Sequence, residues 1–349
     1  MAGLPRARPT IPGRRNHARP DLACGTAGCD ASGVNARRIA VVQTAAVMLD
    51  PDASAARVCD WIARAAAAGA SLVLFPEAMI PGYPRGLSFG TVVGDRTPSG
   101  RETFARYAAS AVDVPGPVTE TIGSAARDAR CFVAVGIVER AAPTSGTLYC
   151  TVLYFAPDGS LIGKHRKLKP TGAERLIWAE GDGSTLAAFE TPMGVAGGLI
   201  CWENLMPLAR AAMYAKGIDI WLAPTADARD AWQATIRHIA CEGRCFVLSA
   251  NQYVTRDMLP AEWAHAAGPP VLCRGGSAII GPLGDYLAGP LWDEEGMLIA
   301  EVDAATLRRA RFDFDVNGHY SRPDVFTLLV NESPAANVRG EPPEDGSGG

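Results

Sequence analysis

The chain has 349 residues, 48% of them apolar and 20% charged, with a formal net charge of −4 at neutral pH. That composition can fill the core of one large domain or two ordinary ones, and it gives no electrostatic reason to expect nucleic acid or an anionic membrane as partner. No apolar run approaches the roughly 20 residues that span a bilayer. The nine cysteines are scattered without a CxxC pair, which argues against a disulfide framework or a zinc site and for reduced thiols in a cytoplasm.

Residues 1–38 carry Arg6, Arg8, Arg14, Arg15, Arg19, Arg37 and Arg38 among Pro, Gly and Ala, with almost no large apolar side chain. Such a segment cannot bury enough surface to offset its ordering entropy and reads as a disordered extension. An Arg-rich, acid-poor start also suits a transit peptide, against which its prolines and its lack of an amphipathic helix count. The folded part starts with a strand, IAVVQTAAV (39–47), then a helix over 54–69 and a buried strand, SLVLFPE (71–77), with Glu77 at its tip. A Pro/Gly-rich loop follows, then a helix from about 101. VPGPV (114–118) breaks the chain and starts another helix to about 129.

Strands are expected over 131–139 and 147–157, with a tight turn at Asp158-Gly159 and Lys167 near the end of the segment leading out. A small-residue strand, 194–200, runs into Cys201, and Pro207 opens an amphipathic helix that Gly217 closes. Then come a strand (218–226), a helix (229–243), a strand (245–252) and a long Pro/Gly-rich loop (253–275). A hairpin about Pro282–Gly284, a strand (296–303) and a short helix (304–311) complete the pattern. The tail, 334–349, is rich in Pro, Gly and acid and reads as disordered. Strands and helices alternate without a repeat or linker, which predicts one α/β domain with mixed sheets over 39–333.

Cys201 stands at a strand-to-helix joint, where unpaired backbone N–H groups gather and can stabilise an anion that a nucleophile creates. A lone cysteine is more commonly a buried structural residue, so its surroundings decide. Glu77 and Lys167 also stand at strand ends, which suggests one crevice. A thiol of pKa about 8.5 needs a base to take its proton or a cation to hold the thiolate; Glu77 and Lys167 fit those parts. Lys167 alone, within KHRKLK, would read as a solvated basic turn. His165 points to the same face, but the cations around it disfavour a role as base.

FPEAMIPGYPRG, GKHRKLKPTGAERLIWAEGDGS and GGLICWENLMPLAR together resemble the nitrilase superfamily of carbon–nitrogen hydrolases, and more narrowly its true nitrilase branch. The likeness runs from Ile39 to about Ser333 and includes VPGPV, YAKGIDIWLAPTAD, CEGRCFVLSANQ and FDVNGHYSRPDVF. It implies a four-layer α-β-β-α sandwich and a catalytic set of Glu77, Lys167 and Cys201, with Glu174 as a supporting carboxylate. The resemblance further implies nitrile hydrolysis through a Cys201 thioimidate and thioester, without metal or organic cofactor. Cyanide hydratase or dihydratase and amidase or carbamoylase are the alternatives within the superfamily, and a non-catalytic assembly protein the alternative outside enzymes. Tyr83, Trp178 and Trp202 flank these motifs and are expected to line the substrate pocket. Asp182 and Gly183 are expected in a turn, and His238, Glu242 and Arg244 in hydrogen bonds that support the fold. Relatives form dimers and spirals, so a homo-oligomer is expected.

Overall fold

The computed structural model describes residues 36–141, 146–264 and 268–335, all within the unit Asn35–Gly349. In chain order the elements of the first half are β1 (Arg37–Gln43), α1 (Pro51–Ala67), β2 (Ala70–Leu74), the small hairpin β3 (Thr91–Val92) and β4 (Asp95–Arg96), α2 (Pro98–Ala109), α3 (Pro117–Ala129), β5 (Phe132–Arg140), β6 (Leu148–Phe155) and β7 (Leu161–Arg166). The second half contains β8 (Ala188–Thr191), β9 (Gly194–Gly198), α4 (Pro207–Tyr214), β10 (Ile220–Leu222), α5 (Asp230–Gly243), β11 (Phe246–Ser249), β12 (Tyr253–Thr255), α6 (Ala261–Ala264), β13 (Val271–Ile280), β14 (Tyr286–Trp292), β15 (Gly296–Val302) and α7 (Ala304–Ala310).

Two sheets follow one plan. The first runs β15-β1-β2-β5-β6-β7, with β1, β2 and β5 parallel and the flanking strands antiparallel. The second runs β12-β13-β11-β10-β9-β8, with β9, β10 and β11 parallel, and β14 pairs with β13. Side chains alternate faces along a strand. Ile39, Val41, Leu72 and Leu74 of the first sheet therefore pack against Ile220, Leu222, Phe246 and Leu248 of the second. The opposite faces carry Ala40, Val42 and Val73 onto α1 and α3, and Trp221 and Val247 onto α4 and α5. The four-layer α-β-β-α sandwich is thus built from strand periodicity alone.

Helix starts follow local chemistry. Pro51 opens α1 behind Asp50, whose side chain accepts from Ala53 N at 2.9 Å; Thr97 accepts from Gly100 N at 3.0 Å ahead of Pro98.

Three expectations are corrected. Arg37 and Arg38, assigned to the disordered extension, lie in β1 opposite Val302 and Glu301, and Arg38 reaches the Glu301 carboxylate. The strand AFET (188–191) went unread because it is short and only half-buried. The expected loop 253–275 holds β12, α6 and the start of β13. Gly275 and Gly276, which read as loop residues, have φ of +90° and +97° where the β13 ladder shifts register, the signature of a bulge inside a strand. The readings of 1–35 and 336–349 as disordered fall outside the described residues.

Candidate active site

Both sheets feed one site. Glu77 sits three residues beyond β2, Lys167 directly follows β7, and Cys201 lies three residues beyond β9. Glu77 reaches its place because the Pro76–Glu77 backbone crosses β5 at Gly136, where a Cβ would stand 2.3 Å from Pro76 O and 2.8 Å from Glu77 Cα. Gln252 Nε2 then holds the Glu77 carbonyl at 2.9 Å. Cys201 opens a 3₁₀ turn, Cys201–Leu205, with φ of +49°, a conformation that costs a non-glycine residue about 1–3 kcal/mol and concentrates at functional sites. Its N–H donates to Pro224 O at 2.8 Å, and Thr225 Oγ1 lies 3.1 Å from Sγ.

Lys167 Nζ is buried between two carboxylates, 2.6 Å from Glu77 Oε1 and 2.7 Å from Glu174 Oε2. Glu174 sits in a 3₁₀ turn, Gly172–Leu176, and also accepts from Thr171 N at 2.6 Å and from the Tyr83 hydroxyl at 2.7 Å. The Cys150 thiol donates to Glu77 Oε1 at 3.4 Å, while the buried Glu77 Oε2 has no partner. Burial lifts the Glu77 carboxyl above the usual range; Lys167 works against that lift and Glu174 with it. Desolvation opposes the charge on Lys167, yet Glu77 and the other groups around it hold the ammonium well above its usual pKa. Burial, with Glu77 adding to it, pushes the Cys201 thiol up, against the pull of Lys167 and the hydrogen bonds from Thr225 and Ala226. Cys201 is therefore held as a neutral thiol, and a thiol in that state attacks only as a base takes its proton.

Above Cys201 opens a cavity of about 530 Å³. Tyr83, Glu174 and Trp202 line it, and Trp202 anchors its indole N–H on Asp227 Oδ2 at 2.8 Å. Trp178, expected on the pocket wall, does not reach it: it is buried behind Tyr83, edge-on with ring centroids 5.6 Å apart, and its ring lies 6.0 Å from Lys167 Nζ. The 3₁₀ turn after Lys167 aims Glu174 at the lysine and swings Trp178 into the core.

Several residues that hold the site went unread. Glu203 is buried and accepts from Ile200 N at 2.7 Å, Leu168 N at 2.6 Å and His165 Nε2 at 3.0 Å. One carboxylate thus ties the backbone beside Lys167 to the backbone beside Cys201. The signal in the sequence was an acid inside an apolar stretch that folds as a tight turn. Thr225 and Asn251 position the facing loop, Asn251 Nδ2 donating to Asp227 O at 2.9 Å and Gly275 O at 2.6 Å. Asp182 does make a turn, accepting from Ser184 N at 3.0 Å, and Glu242 holds Arg210 and Tyr214. Arg244 lies 3.5 Å from Asp313.

Residues 38–312 match the family model of carbon–nitrogen hydrolases. An aliphatic nitrilase of Sinorhizobium fredii is 54% identical over 86% of this chain and 97% of its own length. A bifunctional nitrilase/nitrile hydratase of Lupinus angustifolius is 48% identical over 86% of this chain and 88% of its own. The solved structure of Nit3 from Saccharomyces cerevisiae, a member of branch 10 of the nitrilase superfamily, superposes with a TM-score of 0.62 at 20% identity, covering 82% of this chain and 96% of that one.

Proposed function

Because the chain belongs to the carbon–nitrogen hydrolase family, in its nitrilase branch, we propose that it hydrolyses an organic nitrile to the carboxylic acid and ammonia. The observation that carries the chemistry is the buried trio, a neutral Cys201 thiol above a Lys167 ammonium bound by Glu77, whose second oxygen is bare.

Glu77 Oε2 takes the thiol proton as Cys201 Sγ bonds to the nitrile carbon and passes it to the nitrile nitrogen, leaving a thioimidate, R–C(=NH)–S–Cys201, and an ionised Glu77. The developing negative charge on nitrogen is met by Lys167 and the Trp202 backbone N–H. Glu77 takes a proton from one water as the water oxygen bonds to the same carbon and hands it to the nitrogen, and the hydroxyl proton of the tetrahedral intermediate follows it there as the C–N bond breaks. Ammonia leaves with its bonding pair, and a thioester remains. A second water, activated in the same way, releases the acid and restores the thiol. Glu174 holds Lys167 from the other side, so the ammonium cannot collapse wholly onto Glu77.

Among the described residues no helix is long and apolar enough to cross a membrane, and seven cysteines are free. Both observations support a cytoplasmic enzyme. It self-associates through the apolar surface beside the cysteine turn and the arm that follows α7. The test is a substrate panel of phenylacetonitrile, a short aliphatic dinitrile, cyanide and a simple amide, assayed for ammonia, acid and amide. Acid and ammonia from an organic nitrile support the reading, and Cys201→Ala should lower the rate at least about 10³-fold while the protein stays folded. Turnover of the amide or of cyanide alone rejects it.

A further inference from the structure

Six charged side chains line the cavity: Arg85, Glu174, Asp227, Arg229, Arg274 and Asp293. All but one have partners of opposite charge. Arg229 holds Asp227 through two hydrogen bonds, Arg274 Nη2 lies 2.9 Å from Asp293 Oδ2, and Glu174 takes the Lys167 ammonium. Arg85 pairs with no carboxylate among the described residues. Its Nη2 donates to Ala226 O at 2.9 Å, and its guanidinium carbon lies 5.1 Å from the centre of the Tyr83 ring. Its Nε is buried without a partner. A guanidinium carries five N–H donors in a planar fork. A buried donor left unsatisfied is costly, so this fork is held short of its complement.

The place of that fork matters. Thr225 Oγ1 lies 3.1 Å from Cys201 Sγ, and the carbonyl of the next residue, Ala226, takes Arg85. Two consecutive residues therefore span guanidinium and nucleophile, which bounds their separation at about 14 Å. Glu174 lines the cavity and shares one buried lysine with Glu77, so an anionic group is repelled there and drawn to the Arg85 side.

We propose that Arg85 is a carboxylate anchor, and that the preferred nitriles carry a carboxylate about two to four carbons from the nitrile carbon. At about 1.5 Å per C–C bond, such a chain reaches from the carbon bonded to Sγ to a carboxylate lying on the guanidinium. There two parallel N–H···O bonds fix it and occupy donors that are otherwise idle. The nitrile then enters foremost, with the charge left toward the mouth. This inference rests on the nitrile-hydrolysing reading above and names its substrate class.

The test compares 3-cyanopropanoate with its methyl ester, a neutral molecule of the same backbone, by ammonia release from the full chain. Wild type is expected to favour the anion by at least tenfold in kcat/KM, chiefly through KM. Arg85→Gln should collapse the anion-to-ester ratio at least tenfold, and Arg85→Lys, which keeps the charge without the fork, should restore part of it. Preference of the wild type for the ester, or an equal loss on both substrates in Arg85→Gln, overturns the anchor. The wild-type ratio decides the matter even if a variant fails to fold. Turnover of neutral nitriles without preference for the anion rejects the anchor alone, whereas silence on every nitrile rejects the hydrolase reading with it.

Discussion

Glu77 has one oxygen committed to Lys167 and Cys150 and one bare, inside a site with no exposure to solvent. An isolated buried carboxylate prefers its neutral form, and burial is the largest influence raising this one. The proposed turnover needs the ionised form, since only that form can remove a thiol proton. The rate must therefore fall as pH drops through a pKa above the ordinary glutamate value of about 4.3. Lys167 stays protonated well past its usual pKa, so it sets no alkaline limb below about pH 10. The kcat/KM of a neutral nitrile against pH should show an acid limb displaced upward from an ordinary carboxylate. A limb centred at or below pH 4 would reject Glu77 as the base.

At the scale of elements, the site depends on the ends of β7 and β9 keeping their spacing, and Glu203 is what joins them. His165, one residue before the end of β7, is buried against that carboxylate. Desolvation lowers its pKa, but the charge and hydrogen bonds of Glu203 outweigh it and the net shift is upward. A histidine with a raised folded pKa contributes stability that is complete below its unfolded value of about 6.5 and is lost as pH climbs through the folded value. The melting temperature should accordingly decline as pH rises above about 6.5. Glu203→Gln cannot accept on both sides of the turn, so one backbone N–H is orphaned. It should cost about 3 kcal/mol and flatten the pH slope, which denaturant melts at two pH values would reveal. An unchanged slope in that variant would show that the pair does not couple.

The strand ends that carry Glu77 and Cys201 were legible because the parallel strands β2 and β9 read as buried apolar or small-residue runs, and Lys167, after the antiparallel β7, because three motifs resemble one family. Glu203 was not, since a side chain that reaches back to the residue before its own turn leaves no periodic mark. Trp178 misled for a related reason: nearness in sequence to Glu174 does not survive a 3₁₀ turn. Arg85 sat within a quoted motif, yet a cation in a Pro/Gly loop carries no sign of whether a carboxylate will meet it.

At the scale of the whole molecule, two places among the described residues gather exposed apolar side chains. Leu205, Met206 and Leu208 are exposed on the turn and helix that begin at Cys201, Leu208 by 69%. Residues 311–335 run without helix or strand and expose Phe312, Phe326 and Leu329 by 87%, 78% and 89%. Asn317 hydrogen-bonds the Tyr214 carbonyl at the end of α4, and Lys216 pairs with Glu332, so the arm is tied to the same helix. Burying a large apolar side chain yields about 1.5–3 kcal/mol, and a protein leaves that many uncovered chiefly where another surface will cover them. A second copy is the natural cover, because most soluble oligomers pair like patches about a twofold axis. Leu205 closes the same short turn that Cys201 opens, so a partner seated there would hold the strained φ of the nucleophile in place. Association and activity should then be linked. Truncation before Phe312 should shift the protein toward monomer and lower its specific activity, and dilution of the intact chain should do the same. Light scattering run beside the ammonia assay checks both at one concentration, and a fully active, strictly monomeric species would reject the link.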